Sequence, residues 1–155
     1  MNDVARRATN DVEVSKMRII LGVIVGFLIW SIIWVGSEKA LSALWPEWHG
    51  AHQVAFQAAV TNGGEFTADT TILLLNLVRG SIVSLISGFL TAFIAGENRR
   101  SPLILAGLLV AFGLVIVAMS WNYVPLWYHV IFTALLIPMT MLGGKLKTFA
   151  PEVKV

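Results

Sequence analysis

The chain contains no cysteine, which removes disulfide frameworks, thiolate nucleophiles and cysteine metal sites from consideration. Charge is nearly as scarce: only 13% of the residues are Asp, Glu, Lys or Arg, about half the share found in a soluble domain. The net charge of +2 is small and scattered, so there is no basic face for nucleic acid. Also missing are a Gly-rich phosphate cradle, paired catalytic carboxylates and a hydrolase nucleophile elbow. No motif names a reaction, and a non-enzymatic protein is expected.

What the sequence does have is hydrophobicity. Apolar residues fill 57% of the 155 positions and the mean hydropathy is +0.78, more greasy surface than one aqueous core can bury. A bilayer core about 30 Å thick requires about 20 apolar helical residues. Charge-free runs extend from Ile19 to Ser37, from Gly80 to Gly96, and from Ser101 up to Lys145. The last is long enough for two spans, and Asn122, Tyr123 and Pro125 break it where a turn is needed. The second extends outward past Arg79 through TTILLLNLV.

The expected fold is therefore all-α, a single membrane domain over 1–155. Four transmembrane helices at 18–37, 72–96, 102–121 and 126–144 form a polytopic bundle, because a backbone in lipid must pair its amides within its own segment. Residues 1–17 read as a frayed arm, 38–71 as one longer loop between helices 1 and 2, and 145–155 as a loose tail. Ser101 followed by Pro102 reads as a cap with a first-turn proline, and Gly143 with Gly144 before lysines as a helix stop. Pro138 should free the carbonyl of Ala134, with Thr133 and Thr140 near enough to satisfy the loosened backbone.

Orientation follows from the cations. Arg6, Arg7, Lys16 and Arg18 precede the first span, Arg99 and Arg100 lie in the second loop, and Lys145, Lys147 and Lys154 in the tail, against Lys39 alone on the other side. The positive-inside rule makes both termini cytoplasmic and the 38–71 loop external. A Val35, Ser37 pair resembles a signal-peptide cleavage site, but the apolar run is longer than a usual signal core and its leading segment holds three acids.

Counting about 1.5 Å per residue from each cytoplasmic helix end places Glu38 about 30 Å up, Arg79 about 27 Å, His129 about 24 Å and Trp121 about 30 Å. Four helices thus bring polar residues to one level, near the outer boundary of the hydrocarbon. An ionisable residue inside a span is a functional candidate with a partner to be named. For Arg79 that partner is Glu38, with His129 and Asn76 as neighbours; the other reading is a lipid headgroup or phosphate contact. Trp34, Trp45, Trp48, Trp121, Tyr123, Trp127 and Tyr128 fall on the same side, as an interfacial aromatic belt does. The alternative to a plain belt is that some of them line a shallow outward-facing pocket with Arg79 at its base.

Gly80, Ser84, Gly88, Ala92 and Gly96 recur every four residues, a stripe of small side chains suited to close helix packing, and Gly22 with Gly26 in GVIVG offers a matching face. Contact between those two faces is expected. His49 and His52 stand i, i+3 and could begin a metal site, with His129, Glu47, Glu65 and Asp69 as the remaining candidates on that side. No ligand spacing supports it, and a haem needs axial ligands within the bundle, of which His129 near a helix end offers one at most; no metal or cofactor is expected.

The strings RGSIVSLISGFLTAFIAG, PLWYHVIFTALLIP and LGGKL resemble small bacterial four-span integral membrane proteins of no established function, over roughly the last three spans. The resemblance implies the four-span topology and nothing more; it supplies no site role, and the bacterial inner membrane is the location expected for the bundle. The reading is a small accessory or lipid-interacting component whose partners are the bilayer and a larger membrane complex or itself. The alternative is a small transporter or channel protomer acting as a homo-oligomer, in which Arg79, Ser87 and Thr91 would face water.

Overall fold

The first apolar run forms the middle of a much longer helix, α1 (Asn2–Leu44). The structure is a computed structural model describing residues 2–147, with side chains from Val12 onward. At about 1.5 Å per residue α1 measures about 65 Å, roughly twice a bilayer core. The 1–17 segment, expected as a frayed arm, is thus helical from Asn2. The other end also overruns its expected limit at residue 37, because nothing between Ser37 and Leu44 is a proline or glycine that would stop a helix.

The 38–71 segment, expected as a loop, holds the last turns of α1, a π-helical turn at Pro46–Gly50 and a second helix, α2 (Ala51–Asn62). Pro46 sits at the first position of the turn, where its missing N–H costs nothing. Gly63 and Gly64 then take positive φ values of 71° and 156°, conformations that suit glycine, and end α2. An extended stretch leads to Asp69, whose carboxylate caps α3 (Thr70–Ala95) by accepting the amides of Thr71 and Ile72 at 2.7 and 3.3 Å. Gly96 closes α3 in the left-handed conformation, φ 73°, its N–H bonded to the carbonyl of Ala92 at 2.9 Å.

The start of α4 (Arg100–Ser120) differs from the Ser101 cap expected. Glu97 does the capping, its carboxylate accepting the amides of Arg99 at 3.0 Å, Arg100 at 2.7 Å and Ser101. Burial pushes the Glu97 carboxyl up, but these bonds outweigh it and hold the pKa below the ordinary value. A turn closed by the Tyr123 and Val124 amides on the Ser120 carbonyl leads to Pro125 and α5 (Leu126–Lys145). α5 runs through Pro138 and ends at Lys145, directly after the Gly143, Gly144 pair expected to stop it, with the Leu146 amide bonded to the Gly143 carbonyl. The hydroxyls of Thr133 and Thr140 have no hydrogen-bond partner among the described residues, so they do not satisfy the backbone that proline frees. The tail expected beyond Lys147 lies outside the described residues.

α1, α3, α4 and α5 are each long and apolar enough to cross a membrane, and among the described residues there is no strand. α3 is the most buried of the four and touches the other three. Its closest neighbour is α5: a Cβ at Gly88 would strike the carbonyl of Thr140, and one at Gly143 the carbonyl of Leu85. Backbones in such contact gain dispersion energy that bulkier side chains would forfeit. Gly143 and Gly144 therefore also pack, Gly144 against Pro102 of α4.

The α1–α3 contact forms, but not face to face as expected. Gly22 and Gly26 meet Thr91 and Ala95, one step around α3 from the Gly80–Gly96 stripe. The stripe itself is divided. Gly88 faces α5; Gly80 lies against Phe132 of α5 and Trp34 of α1; Ser84 accepts the Trp30 indole N–H at 3.1 Å; Ala92 is fully buried. Gly96 lies against the Arg18 side chain. A stripe of that length curves around its helix, because repeats of four drift against 3.6 residues per turn, and so serves two partners. The core gathers Trp30, Val83, Leu105, Leu109 and Leu136. Ile20, Leu28, Val78, Leu114 and Val130 stand exposed on the outside, as suits a bundle with lipid for solvent.

Candidate functional site

Arg79 and Glu38 meet at the end of the bundle that carries α2. The guanidinium Nη2 lies 2.6 Å from the carboxylate Oε2, and the two side chains are 8% and 14% exposed. Both came from separate apolar helices, where an ion is costly unless paired. The Arg79 Cζ sits 4.2 Å above the Trp34 ring, a cation–π contact that gains strength away from water. Trp34 in turn stacks on Trp30 at 5.4 Å with an interplanar angle of 2°. Arg79, Trp34 and Trp30 thus form a column ending in the Trp30–Ser84 hydrogen bond.

The pair borders a cavity of about 170 Å³. Asn76, Tyr128 and Ser120 of the bundle line it together with His52, Gln53 and Phe56 of α2, and Phe66 of the link closes it further. Several of these residues carry buried polar atoms with no hydrogen-bond partner among the described residues: Arg79 Nε and Nη1, Glu38 Oε1, Asn76 Oδ1 and His52 Nδ1. Native proteins satisfy most such groups, and five of the unpartnered atoms among the described residues lie on the ion pair and on residues lining this cavity.

α2 is held over this cavity by specific contacts. The Tyr123 hydroxyl donates to the carbonyl of Ala59 at 2.9 Å; Phe56 packs edge-on to Phe66 and Tyr123. His52 Nε2 accepts the Asp69 amide at 3.1 Å, which places the proton of the neutral ring on Nδ1. Burial pushes the His52 pKa down, more than the nearby Asp69 charge raises it. Trp48 donates its indole N–H to Asp69 Oδ2 at 3.0 Å, and that bond is the main reason the Asp69 carboxyl is held below the ordinary value. His49, 1% exposed, lies beside the ion pair with Nδ1 3.6 Å from Glu38 Oε1, too long for a hydrogen bond, and 3.3 Å from the Ser42 hydroxyl. Among the described residues no three His, Asp or Glu side chains converge as metal ligands do.

The structure thus brings together Arg79, Glu38 and Asn76 but not His129, which was expected beside them. His129 is buried on another side of α5, stacked on Trp121 at 5.9 Å and 2°, and borders an apolar cavity between α4 and α5. Tyr128, about 100° away around the helix, is the residue of α5 that reaches the site. The aromatic belt also divides. Trp45, Trp48, Trp121 and Trp127 are exposed, whereas Trp34, Tyr123 and Tyr128 turn inward to the column, to α2 and to the cavity. His52, Phe56 and Phe66 are not read as pocket residues from sequence because they lie in the outer 38–71 segment; its legible signal is the stretch from Trp45 to His52, which reads as one that could start a short surface helix and does lead into the π-helical turn and α2.

A second cavity, about 260 Å³ and almost wholly apolar, lies where α1, α4 and α5 meet. Trp34 and Ile116 line both cavities. Val35, Phe112 and Ile116 on its rim are exposed on the outside of the bundle.

A bundle of four helices long and apolar enough to cross a membrane, with its buried ion pair beside a capped polar pocket, is that of a multi-pass helical membrane protein. Comparison of the chain with protein-family models, curated proteins and solved structures finds no match.

Proposed function

We propose that this chain is a small non-enzymatic lipid-interacting protein of a bacterial inner membrane, an accessory component that holds a lipid headgroup at Arg79. The observation that carries the reading is the capped cavity in which Arg79, paired on one side with Glu38, keeps two nitrogen donors unpartnered. A lipid is the polar molecule always present at that boundary, and its phosphate accepts hydrogen bonds from a guanidinium better than water does. With both termini cytoplasmic, as the cation distribution argues, the pocket opens toward the outer leaflet.

The rival, a transport pathway through a homo-oligomer, requires Ser87 and Thr91 to face water. Both are fully buried against neighbouring helices, which supports a static packed face instead. Native mass spectrometry of the protein extracted gently from its own membranes is the test. The expected result is a reproducible phospholipid adduct, with or without a larger protein complex, that is lost on Arg79→Gln. A clean homo-oligomer carrying neither lipid nor partner would overturn the reading in favour of transport.

A further inference from the structure

We infer that the pocket selects a phospholipid with a zwitterionic headgroup bearing a primary ammonium, the phosphoethanolamine class, and seats one of its acyl chains in the apolar cavity behind Trp34. This rests on the lipid-binding reading and names its ligand.

The argument begins with charge. Arg79 is already neutralised by Glu38 at 2.6 Å, so the buried site is balanced before anything enters. A headgroup with a net negative charge would leave one charge without a counterion away from water, which is costly. A zwitterion adds one charge of each sign and preserves the balance.

The unpartnered atoms then say where each charge goes. Arg79 Nε and Nη1 and the Nδ1–H of neutral His52 are donors, suited to phosphate oxygens; Glu38 Oε1 and Asn76 Oδ1 are acceptors. Acceptors require N–H groups opposite them. A primary ammonium has three, whereas a quaternary ammonium has none and would leave both oxygens buried and unsatisfied.

The tail follows from the shared wall. Trp34 and Ile116 border both the polar cavity and the apolar one, so an amphiphile with its head beside Arg79 has an apolar slot immediately adjacent. Exposed Val35, Phe112 and Ile116 at the rim of that slot put it in reach of the bilayer. A soluble phosphate ester would have no use for it.

The test uses full-length protein, delipidated in detergent and titrated separately with phosphatidylethanolamine, phosphatidylcholine and phosphatidylglycerol of matched chains, with retained lipid read by native mass spectrometry. The tailless headgroup, glycerophosphoethanolamine, is the fourth probe. Phosphatidylethanolamine should be retained about tenfold over each of the other two lipids, the weight of one charge-assisted hydrogen bond, and the tailless probe should be the weakest. Glu38→Gln should turn the preference toward phosphatidylglycerol by leaving Arg79 unneutralised. Asn76→Leu should lower phosphatidylethanolamine retention without favouring the anionic lipid. Gly113→Leu, on the lining of the apolar cavity with its added Cβ against Leu136 at 3.3 Å, should fill that cavity, weaken all three lipids and leave the tailless probe unchanged. Equal or preferred retention of phosphatidylcholine or phosphatidylglycerol by the wild type would overturn the inference and leave the lipid-binding reading standing. Retention of no lipid by folded wild-type protein would overturn both.

Discussion

Gly143 of α5 lies against the carbonyl of Leu85 of α3 so closely that any Cβ there would collide with backbone. Backbone cannot swing aside as a flexible side chain can, so the two helices would have to separate. Gly143→Ala should therefore lower the midpoint of thermal unfolding in detergent by the equivalent of about 1–3 kcal/mol, the usual cost of overpacking. Gly107→Ala in α4, where an added Cβ meets nothing within 4 Å, should be neutral or slightly stabilising. Similar losses at both positions would mean that the α3–α5 contact is not the closest seam of the bundle.

The Arg79–Glu38 pair supports a second prediction. Replacing either partner alone by leucine strands a buried charge and should cost about 3–5 kcal/mol, whereas the double replacement should recover much of that loss. Unfolding measurements on a double-mutant cycle will give the coupling. Additive losses would show that the two side chains do not depend on one another.

His52 makes the cap over the cavity sensitive to pH. Its folded pKa is depressed by burial, so as pH falls below 6.5 the unfolded or undocked ring takes up a proton before the docked ring does. Protonation of Nε2 would also end its acceptance of the Asp69 amide. The contribution of His52 to docking is present above pH 6.5 and declines as pH falls toward the folded pKa. Amide hydrogen exchange over 51–69, corrected for its intrinsic pH dependence, should show faster opening in mildly acidic buffer, and His52→Gln should abolish the difference.

Tyr123 anchors α2 through a single hydroxyl. Tyr123→Phe should cost about 0.5–1.5 kcal/mol of local stability, read as increased exchange or proteolysis within 51–62 while α3 and α5 stay protected. Uniform destabilisation of all helices would instead mean that α2 unfolds only with the bundle.

The spans were legible because lipid imposes a simple rule, an uninterrupted apolar run of sufficient length, and the runs around Trp30, Leu85, Leu109 and Leu136 obey it. The Arg79–Glu38 contact was readable because few ions lie near one level in so apolar a chain. Azimuth was the illegible quantity. Counting residues gave His129 a height but could not tell it from Tyr128, since each helix is apolar all round and shows no polar face from which to take a bearing. The α2 cap was hidden for a related reason: AHQVAFQAAVTN is short and weakly patterned, and its place over the cavity depends on distant partners such as Tyr123 and Asp69.

The passage of Arg79 into its buried position also has an order. An arginine within an apolar span is costly to insert unless it is paired or reaches the interface. Its carboxylate partner stands on α1, forty-one residues nearer the N-terminus, and is therefore synthesised first. A ribosome delivering this chain to the membrane presents Glu38 before Arg79 emerges, so the counterion of Arg79 is already in place on α1 when α3 is made.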